Sequence, residues 1–313
     1  LVDSGIRVYS FGEHCNVYNP IIILKLYRLM KKYDIVHTHN TAPQLFAAIC
    51  SMLCSVVLCT TEHNTSNRRR KWKWYGWVDK WMYSRYKKII CVSNQTEKNL
   101  RKYLPVVDNI CTINNGVDIH KFHDAQPEEE LKSERIVVVM VAGFRYQKDQ
   151  DTLIKAFTHL DRGKFELWLV GDGERRASLE SMIKQLKLTD NVKMLGIRAD
   201  IANVLKSSDI VVMSSHFEGL SLSSIEGMSV NKPFIASDVD GLREIVNGYG
   251  VLFPQGDDNV LASIIQRLSV DKTYYRQVAD RCWERAQAFD IQKMVDSYNS
   301  VYMELSRSKC VRK

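Results

Sequence analysis

Two carboxylates, Glu218 and Glu226, bracket a run of small, apolar and hydroxyl residues, Phe217-Glu-Gly-Leu-Ser-Leu-Ser-Ser-Ile-Glu226. The preceding residues, Asp209 to Ser214, are short, β-branched and uncharged after the first, and read as a buried strand. His216 to Ser221 then forms a tight loop. Leu222 to Ser229 starts a helix with Ser221 or Ser223 as its N-cap. A strand, loop and helix in that order aim several backbone N–H groups at one point, and that point favours an anion such as a diphosphate. Neither carboxylate gains by facing a phosphate, but both can accept hydrogen bonds from hydroxyls beside it. A diphosphate between two polyhydroxylated rings fits, and a sugar nucleotide is such a ligand. The plain alternative makes Glu226 a complement to a helix N-terminus and Glu218 a surface loop residue.

Other strand ends carry matching chemistry. Gly143-Phe-Arg-Tyr-Gln-Lys148 follows the apolar run Ile136 to Ala142. Arg145 can grip a phosphate with two parallel donors, while Lys148 supplies a point charge, so the two together neutralise a diphosphate. Val170-Gly-Asp-Gly-Glu174 is a strand-end glycine loop in which Gly171 permits close ligand approach. It is not a dinucleotide fingerprint. Towards the N-terminus, His39-Asn40-Thr41 and Glu62-His63-Asn64-Thr65 each follow a strand. An imidazole at either place can meet a sugar hydroxyl or a phosphate oxygen, or it can simply satisfy backbone groups. His37, on the face opposite Thr38, reads as structural.

The elements that must position these groups alternate strand and helix. In the first half, strands are expected at Ile6 to Phe11, Asp34 to His39, Val56 to Thr61, Lys88 to Val92 and Ile110 to Ile113. Helices are expected at Ile21 to Tyr33, Gln44 to Leu53, Trp72 to Tyr86 and Gln95 to Tyr103, with Asn94 and Glu97 as a capping-box variant. The polar, acidic His123 to Arg135 reads as a hinge. A second α/β set comes after it, with strands from Ile136, Phe165, Asn191, Asp209, Pro233 and Gly250, and a mostly helical tail from Asn259 to Ser306. The fold class is therefore α/β: two doubly wound Rossmann-like domains, in which ligands sit at the carboxyl ends of the strands.

Phe217 to Glu226 resembles the E-x7-E segment of the family-four retaining glycosyltransferases of GT-B fold. Arg145-x-x-Lys148, Asn115-Gly-Val-Asp118 and Glu62-His63 support the resemblance, which covers essentially the whole chain. It implies two domains facing a cleft: residues 1–125 on the acceptor side, residues 126–288 binding the nucleotide sugar, and residues 289–313 a helix crossing back to the first domain. It implies that Glu218 touches the donor sugar and Glu226 the ribose, while the backbone of Gly219, Leu220, Ser221, Leu222 and Ser223 holds the diphosphate with Arg145 and Lys148. Ile197 and Arg198 line the base, and His63 reaches across the cleft to the donor sugar. The implied reaction moves a sugar from a UDP-sugar or GDP-sugar to a hydroxyl acceptor with retention, without cofactor or metal. That acceptor is a lipid-linked or surface-polysaccharide precursor. The catalytic groups would be Glu218, His63, Arg145 and Lys148.

Two aspartate pairs, Asp149 with Asp151 and Asp238 with Asp240, have the D-x-D spacing that binds metal in other glycosyltransferases. The second pair reads as a turn after a strand. Family members begin with a strand and a glycine-rich loop that nothing here matches. The first residue is Leu, in mid-pattern, so an upstream portion of the first domain is expected to precede it.

Composition narrows the class without choosing a ligand. The chain has 313 residues, 45% hydrophobic and 26% charged, with a net charge of +8. These values suit a two-domain globular protein. Eight cysteines without a C-x-x-C pair argue against zinc or a disulfide framework and for reduced thiols in a cytoplasmic protein. Leu45 to Cys59 is uncharged but shorter than the roughly 20 residues of a spanning helix. Arg68-Arg-Arg-Lys-Trp-Lys-Trp74, with Trp77 and Trp81, interleaves cations and indoles. It suits an anionic membrane surface at the inner face through residues 68–81 and would also suit nucleic acid, but the expected partner is the membrane and not nucleic acid. A solvated loop and a helix burying Trp77 and Trp81 would also account for it. Two rival readings stay open: a sugar-nucleotide epimerase of similar fold, and a non-catalytic membrane or nucleic-acid binder.

Overall fold

The computed structural model describes residues 5–10, 19, 21–63, 75–105 and 107–310. The basic tryptophan run at 68–74 lies outside them. The chain divides into two compact units, Leu1–Ile113 with Asp296–Lys313, and Asn114–Val295.

In the first unit, four parallel strands lie in sequence order: β1 (Ile35–His39), β2 (Val57–Glu62), β3 (Lys88–Cys91) and β4 (Ile110–Thr112). Helices α1 (Ile21–Met30), α2 (Thr41–Cys50), α3 (Tyr75–Ser84) and α4 (Asn94–Tyr103) accompany them. Met30, Ala47, Leu58, Met82, Tyr83, Tyr86, Ile89 and Leu100 make the core. Each large apolar side chain buried this way contributes about 1.5–3 kcal/mol.

Several local expectations are corrected here. Ile6 to Ser10 does not join the sheet; Ile6, Val8 and Tyr9 are exposed, and apolar alternation without a neighbouring ladder does not make a strand. Helix α2 starts at Thr41, not Gln44, because Pro43 fits the first turn, where no intrahelical N–H donor is needed. Ser93, not Asn94, caps α4: its Oγ accepts from Thr96 N at 3.1 Å, while Glu97 pairs with Arg101. Trp77 is 82% exposed and Trp81 38%, so α3 does not bury its tryptophans.

The second unit holds six parallel strands: β5 (Ile136–Val141), β6 (Phe165–Val170), β7 (Val192–Gly196), β8 (Ile210–Met213), β9 (Phe234–Ser237) and β10 (Val251–Phe253). Their order is β10-β9-β8-β5-β6-β7. The chain builds outward from β5 through β6 to β7, then crosses back to place β8 on the other flank of β5. Ligands of open α/β sheets sit at such a reversal. The interleaved helices are α5 (Ile119–His123), α6 (Gln150–Ala156), α7 (Arg176–Gln185), α8 (Ile201–Ser207), α9 (Leu222–Ser229), α10 (Asp240–Val246), α11 (Asp258–Val270) and α12 (Lys272–Ala286). Helix α13 (Ile291–Cys310) starts in this unit and ends in the first.

The expected domain boundaries at 125/126 and 288/289 differ from this division, and the reason is packing. Val117, Ile119 and Phe122 enter the core of the second unit, and Val117 N donates to Phe289 O at 2.9 Å. The residues on the N-terminal side of the polar His123 to Arg135 segment thus share one core with those on its C-terminal side. Among the described residues, no helix is long and apolar enough to cross a membrane.

Candidate active site

Two loops meet at the reversal point of the second sheet. The first follows β5 and ends at Asp149, whose backbone is left-handed (φ 48°, ψ 49°). Asp149 caps α6, accepting from Thr152 Oγ1 at 2.7 Å and Thr152 N at 3.4 Å. Its Oδ2 also lies 3.5 Å from His216 Nδ1. Burial raises the Asp149 carboxyl above the usual range, against the Thr152 hydrogen bonds and nearby His216. The second loop follows β8.

Hydrogen bonds stitch the two loops together. Ser214 Oγ donates to Asp149 O at 2.7 Å, His216 N to Gln147 O at 2.8 Å, and Gln147 Nε2 to Phe217 O at 3.0 Å.

Lys148 and Glu218 complete the seam as an ion pair between Nζ and Oε1, with side chains 19% and 7% exposed. Ser215 Oγ donates to the same Oε1 at 2.8 Å, and Ser215 O accepts from Ser237 Oγ at 2.5 Å. Both donors thus meet one carboxylate oxygen. No hydrogen bond to Oε2 is found among the described residues. A charged group held this way in a mostly buried setting is a fixed electrostatic element. The first turn of α10 backs the loop so closely that a Cβ on Gly241 would stand 2.2 Å from Gly219 O and 2.4 Å from Glu218 O. The Asp238 to Gly241 segment, expected as a turn, therefore runs straight into that helix at Asp240.

Helix α9 starts at Leu222, with Ser221 at the N-cap and not Ser223. The Ser221 side chain makes no capping hydrogen bond. Ser224 N and Ile225 N turn back to Ser221 O at 3.2 and 3.4 Å. The amides of Leu222 and Ser223 precede them, at the positively polarised end of the helix. Glu226 lies half-buried one turn on. Desolvation raises its carboxyl above the usual range, and Lys121 of α5 opposes that shift.

The other candidate residues of this unit occupy neighbouring strand ends. Arg145 is exposed, and among the described residues its guanidinium has no ion-pair partner. Gly171, at φ 135°, donates from N to Gly196 O at 2.8 Å; a Cβ there would come within 2.2 Å of Ala142 O. Ile197 is 83% exposed, while Arg198 clasps Asp200, with Nε 2.9 Å from Oδ1. In both aspartate pairs the carboxylates already have protein partners. Asp149 caps α6, Asp151 pairs with Arg175, and Asp238 and Asp240 pair with Arg243.

His63 belongs to the first unit, just beyond β2. His39 Nδ1 lies 2.9 Å from His63 Nε2. On the same face of β1, the His37 ring centroid lies 4.5 Å from that of His39. His37 Nδ1 reaches Tyr302 Oη at 2.7 Å and its Nε2 reaches Thr61 Oγ1 at 2.8 Å, which fixes it as a structural group. Burial, with His39 and His63 nearby, lowers the His37 pKa to about 4, so it is neutral at pH 7.

Sequence reasoning missed Ser215, Ser237, His216 and the His39–His63 contact. Serines at strand ends carry no signal of their own.

The family model for glycosyl transferases group 1 matches residues 122–288, more than half of the chain, and that for glycosyltransferase family 4 matches residues 2–121. A UDP-Gal:alpha-D-GlcNAc-diphosphoundecaprenol alpha-1,3-galactosyltransferase of Escherichia coli is 28% identical over 335 aligned residues, covering 98% of this chain and 86% of that protein. The amylovoran biosynthesis glycosyltransferase AmsD of Erwinia amylovora is 21% identical over 326, covering 96% and 88%. Among solved structures, Anabaena Alr3699/HepE in complex with UDP superimposes with a TM-score of 0.82 at 22% identity, over 91% of this chain and 82% of that one. Its likeness concerns the fold. Taken with the paired loops at the sheet's reversal point, these matches place the chain in the glycosyl transferases group 1 family, as a glycosyltransferase of GT-B fold.

Proposed function

We propose that this enzyme transfers a sugar from a UDP-sugar or GDP-sugar to a hydroxyl of a lipid-linked or surface-polysaccharide precursor, with retention of anomeric configuration. The observation that carries the reading is the Lys148–Glu218–Ser215 cluster beside the uncapped start of α9. Glu218 offers its second oxygen to a donor-sugar hydroxyl, and Glu226 accepts from the ribose. The amides from Gly219 to Ser223, with Lys148 and Arg145, hold the diphosphate. Charge gathers on that group as it leaves, and fixed donors stabilise it most at that moment. The acceptor oxygen attacks the anomeric carbon on the face from which the diphosphate departs, and a phosphate oxygen takes its proton. His63 offers an imidazole to a sugar hydroxyl.

The chemistry proceeds without a metal, since both aspartate pairs are committed to protein cations and donors and the leaving group is neutralised by Lys148 and Arg145. The acceptor class is inferred from the galactosyltransferase relative, whose name includes a diphosphoundecaprenol on its substrate. An acceptor of that kind puts the enzyme at the cytoplasmic face of a membrane. There, exposed Trp77 and Trp81 of α3, with the basic run before them, meet anionic headgroups.

Thermal-shift titration with UDP, GDP and ADP tests the donor class. UDP or GDP is expected to raise the melting temperature with concentration. No shift with any nucleoside diphosphate at millimolar concentration would remove the reading. Transfer that stops with a chelator and returns with Mg²⁺ would overturn the metal-free step.

A further inference from the structure

His39 and His63 meet nitrogen to nitrogen at 2.9 Å, which requires one proton between them. If His39 Nδ1 carries it, His63 Nε2 accepts, and neutral His63 is protonated at Nδ1. If His63 Nε2 carries it, His63 Nδ1 is bare and His39 is protonated at Nε2. In either state the two outer nitrogens are one donor and one acceptor. A further proton on the pair turns both outer nitrogens into donors, and a second would break the inner hydrogen bond.

The backbone next to His39 is strained. Asn40 has φ 68° and ψ 164°, a region populated almost only by glycine, and α2 starts immediately afterwards. Behind His39 stands His37, held by Thr61 and Tyr302. Around the pair, the titratable groups among the described residues are His37 on β1, Glu62 on β2, and Tyr298 and Tyr302 on α13. Glu62 accepts from Gln44 Nε2 at 2.6 Å and from Tyr83, while Tyr298 meets Thr61 Oγ1 at 3.2 Å.

We propose that His39 is a positioning residue: through its ring it sets which nitrogen of His63 is protonated, and the two imidazoles act as one proton-sharing unit facing sugar hydroxyls. The link to turnover rests on the glycosyltransferase reading above; the coupling itself does not.

Two-bond ¹H–¹⁵N spectra of the full chain report each imidazole's tautomer and titration. In the native protein, both rings are expected to sense the same two apparent protonation steps. His39→Ala should collapse the His63 titration to a single step and change its tautomer ratio. His39→Asn places an amide near the former Nδ1 and should restore the native ratio. Transfer assays should show kcat/KM about tenfold lower for His39→Ala, the worth of one hydrogen bond, mostly in kcat, with recovery in His39→Asn.

His63 signals that are identical in the native chain and both variants would overturn the proposal. Should His39→Ala fail to fold, His39→Asn and the reciprocal response of His39 to His63→Ala decide it. Coupled spectra in a chain that transfers no sugar would sustain the pairing and remove the activity reading instead.

Discussion

The loop seam of the second unit and the histidine row of the first solve one problem with opposite materials. Both must present polar groups at the carboxyl ends of parallel strands without leaving them unsatisfied. The second unit does so with opposite charges: Lys148 against Glu218, Arg175 against Asp151, Arg243 against Asp238. The first unit stacks three like groups, His37, His39 and His63, and keeps them compatible by sharing protons and using tyrosine and threonine hydroxyls. Opposite charges hold each other in the ionised state, while burial keeps His37 in its neutral form. The ion-paired donor-side groups are thus fixed electrostatic elements, whereas the histidine row is held by neutral hydrogen bonds.

That contrast can be broken first at its strongest point. Glu218→Gln and Lys148→Met should each lower transfer about 10²–10³-fold, the usual loss when one fixed electrostatic group is removed from a transfer site. Because the pair is one unit, the double variant should lose much less than the product of the two, which a double-mutant cycle reads directly. Full additivity would show the ion pair to be incidental.

Ser215→Ala removes one of two donors to Oε1. About a tenfold fall in kcat/KM is expected, with the melting temperature nearly unchanged. Unaltered kinetics would make Ser215 a strand-end filler.

Glu226→Gln sharpens the comparison most finely. Its folded carboxyl is raised by desolvation, so ionisation costs stability, and that cost is absent at low pH and grows as pH rises through the raised pKa. The variant should therefore melt higher than the native chain at about pH 8, match it below about pH 4, where the carboxyl is protonated in both folded and unfolded chains, and bind donor nucleotide more weakly. Equal melting at both pH values would show the burial to be relieved in solution.

How much of this was legible depended on whether the signal was local. Val138 to Met140 and Leu167 to Val170 are unbroken apolar runs, and such runs between helical periods specify a parallel sheet from sequence alone. Glu218 and Glu226 announced themselves because acids are rare in an otherwise apolar strand-loop-helix. Ser215 did not, since its meaning arises only where β8 and β9 end side by side. The His39–His63 contact is set by the register that pairs His39 with Thr61 on the neighbouring strand, and no residue near His39 in sequence encodes it. The boundary after Ile113 was hidden because polarity marks a segment as solvated, not as the place where one core stops. Val117 and Phe122 already belong to the next core.

Helix α13 has a consequence for the order of assembly. The second unit is one continuous stretch, whereas the first needs residues from both sides of it. Tyr302 grips His37 from 265 positions away, and Val301, Leu305 and the Lys88–Glu304 pair join it. During synthesis, domains generally fold as they emerge. The part of the first unit that precedes the second in the chain is therefore completed only after the second has been made, and its imidazole row stays without its tyrosine clasp until α13 has been synthesised.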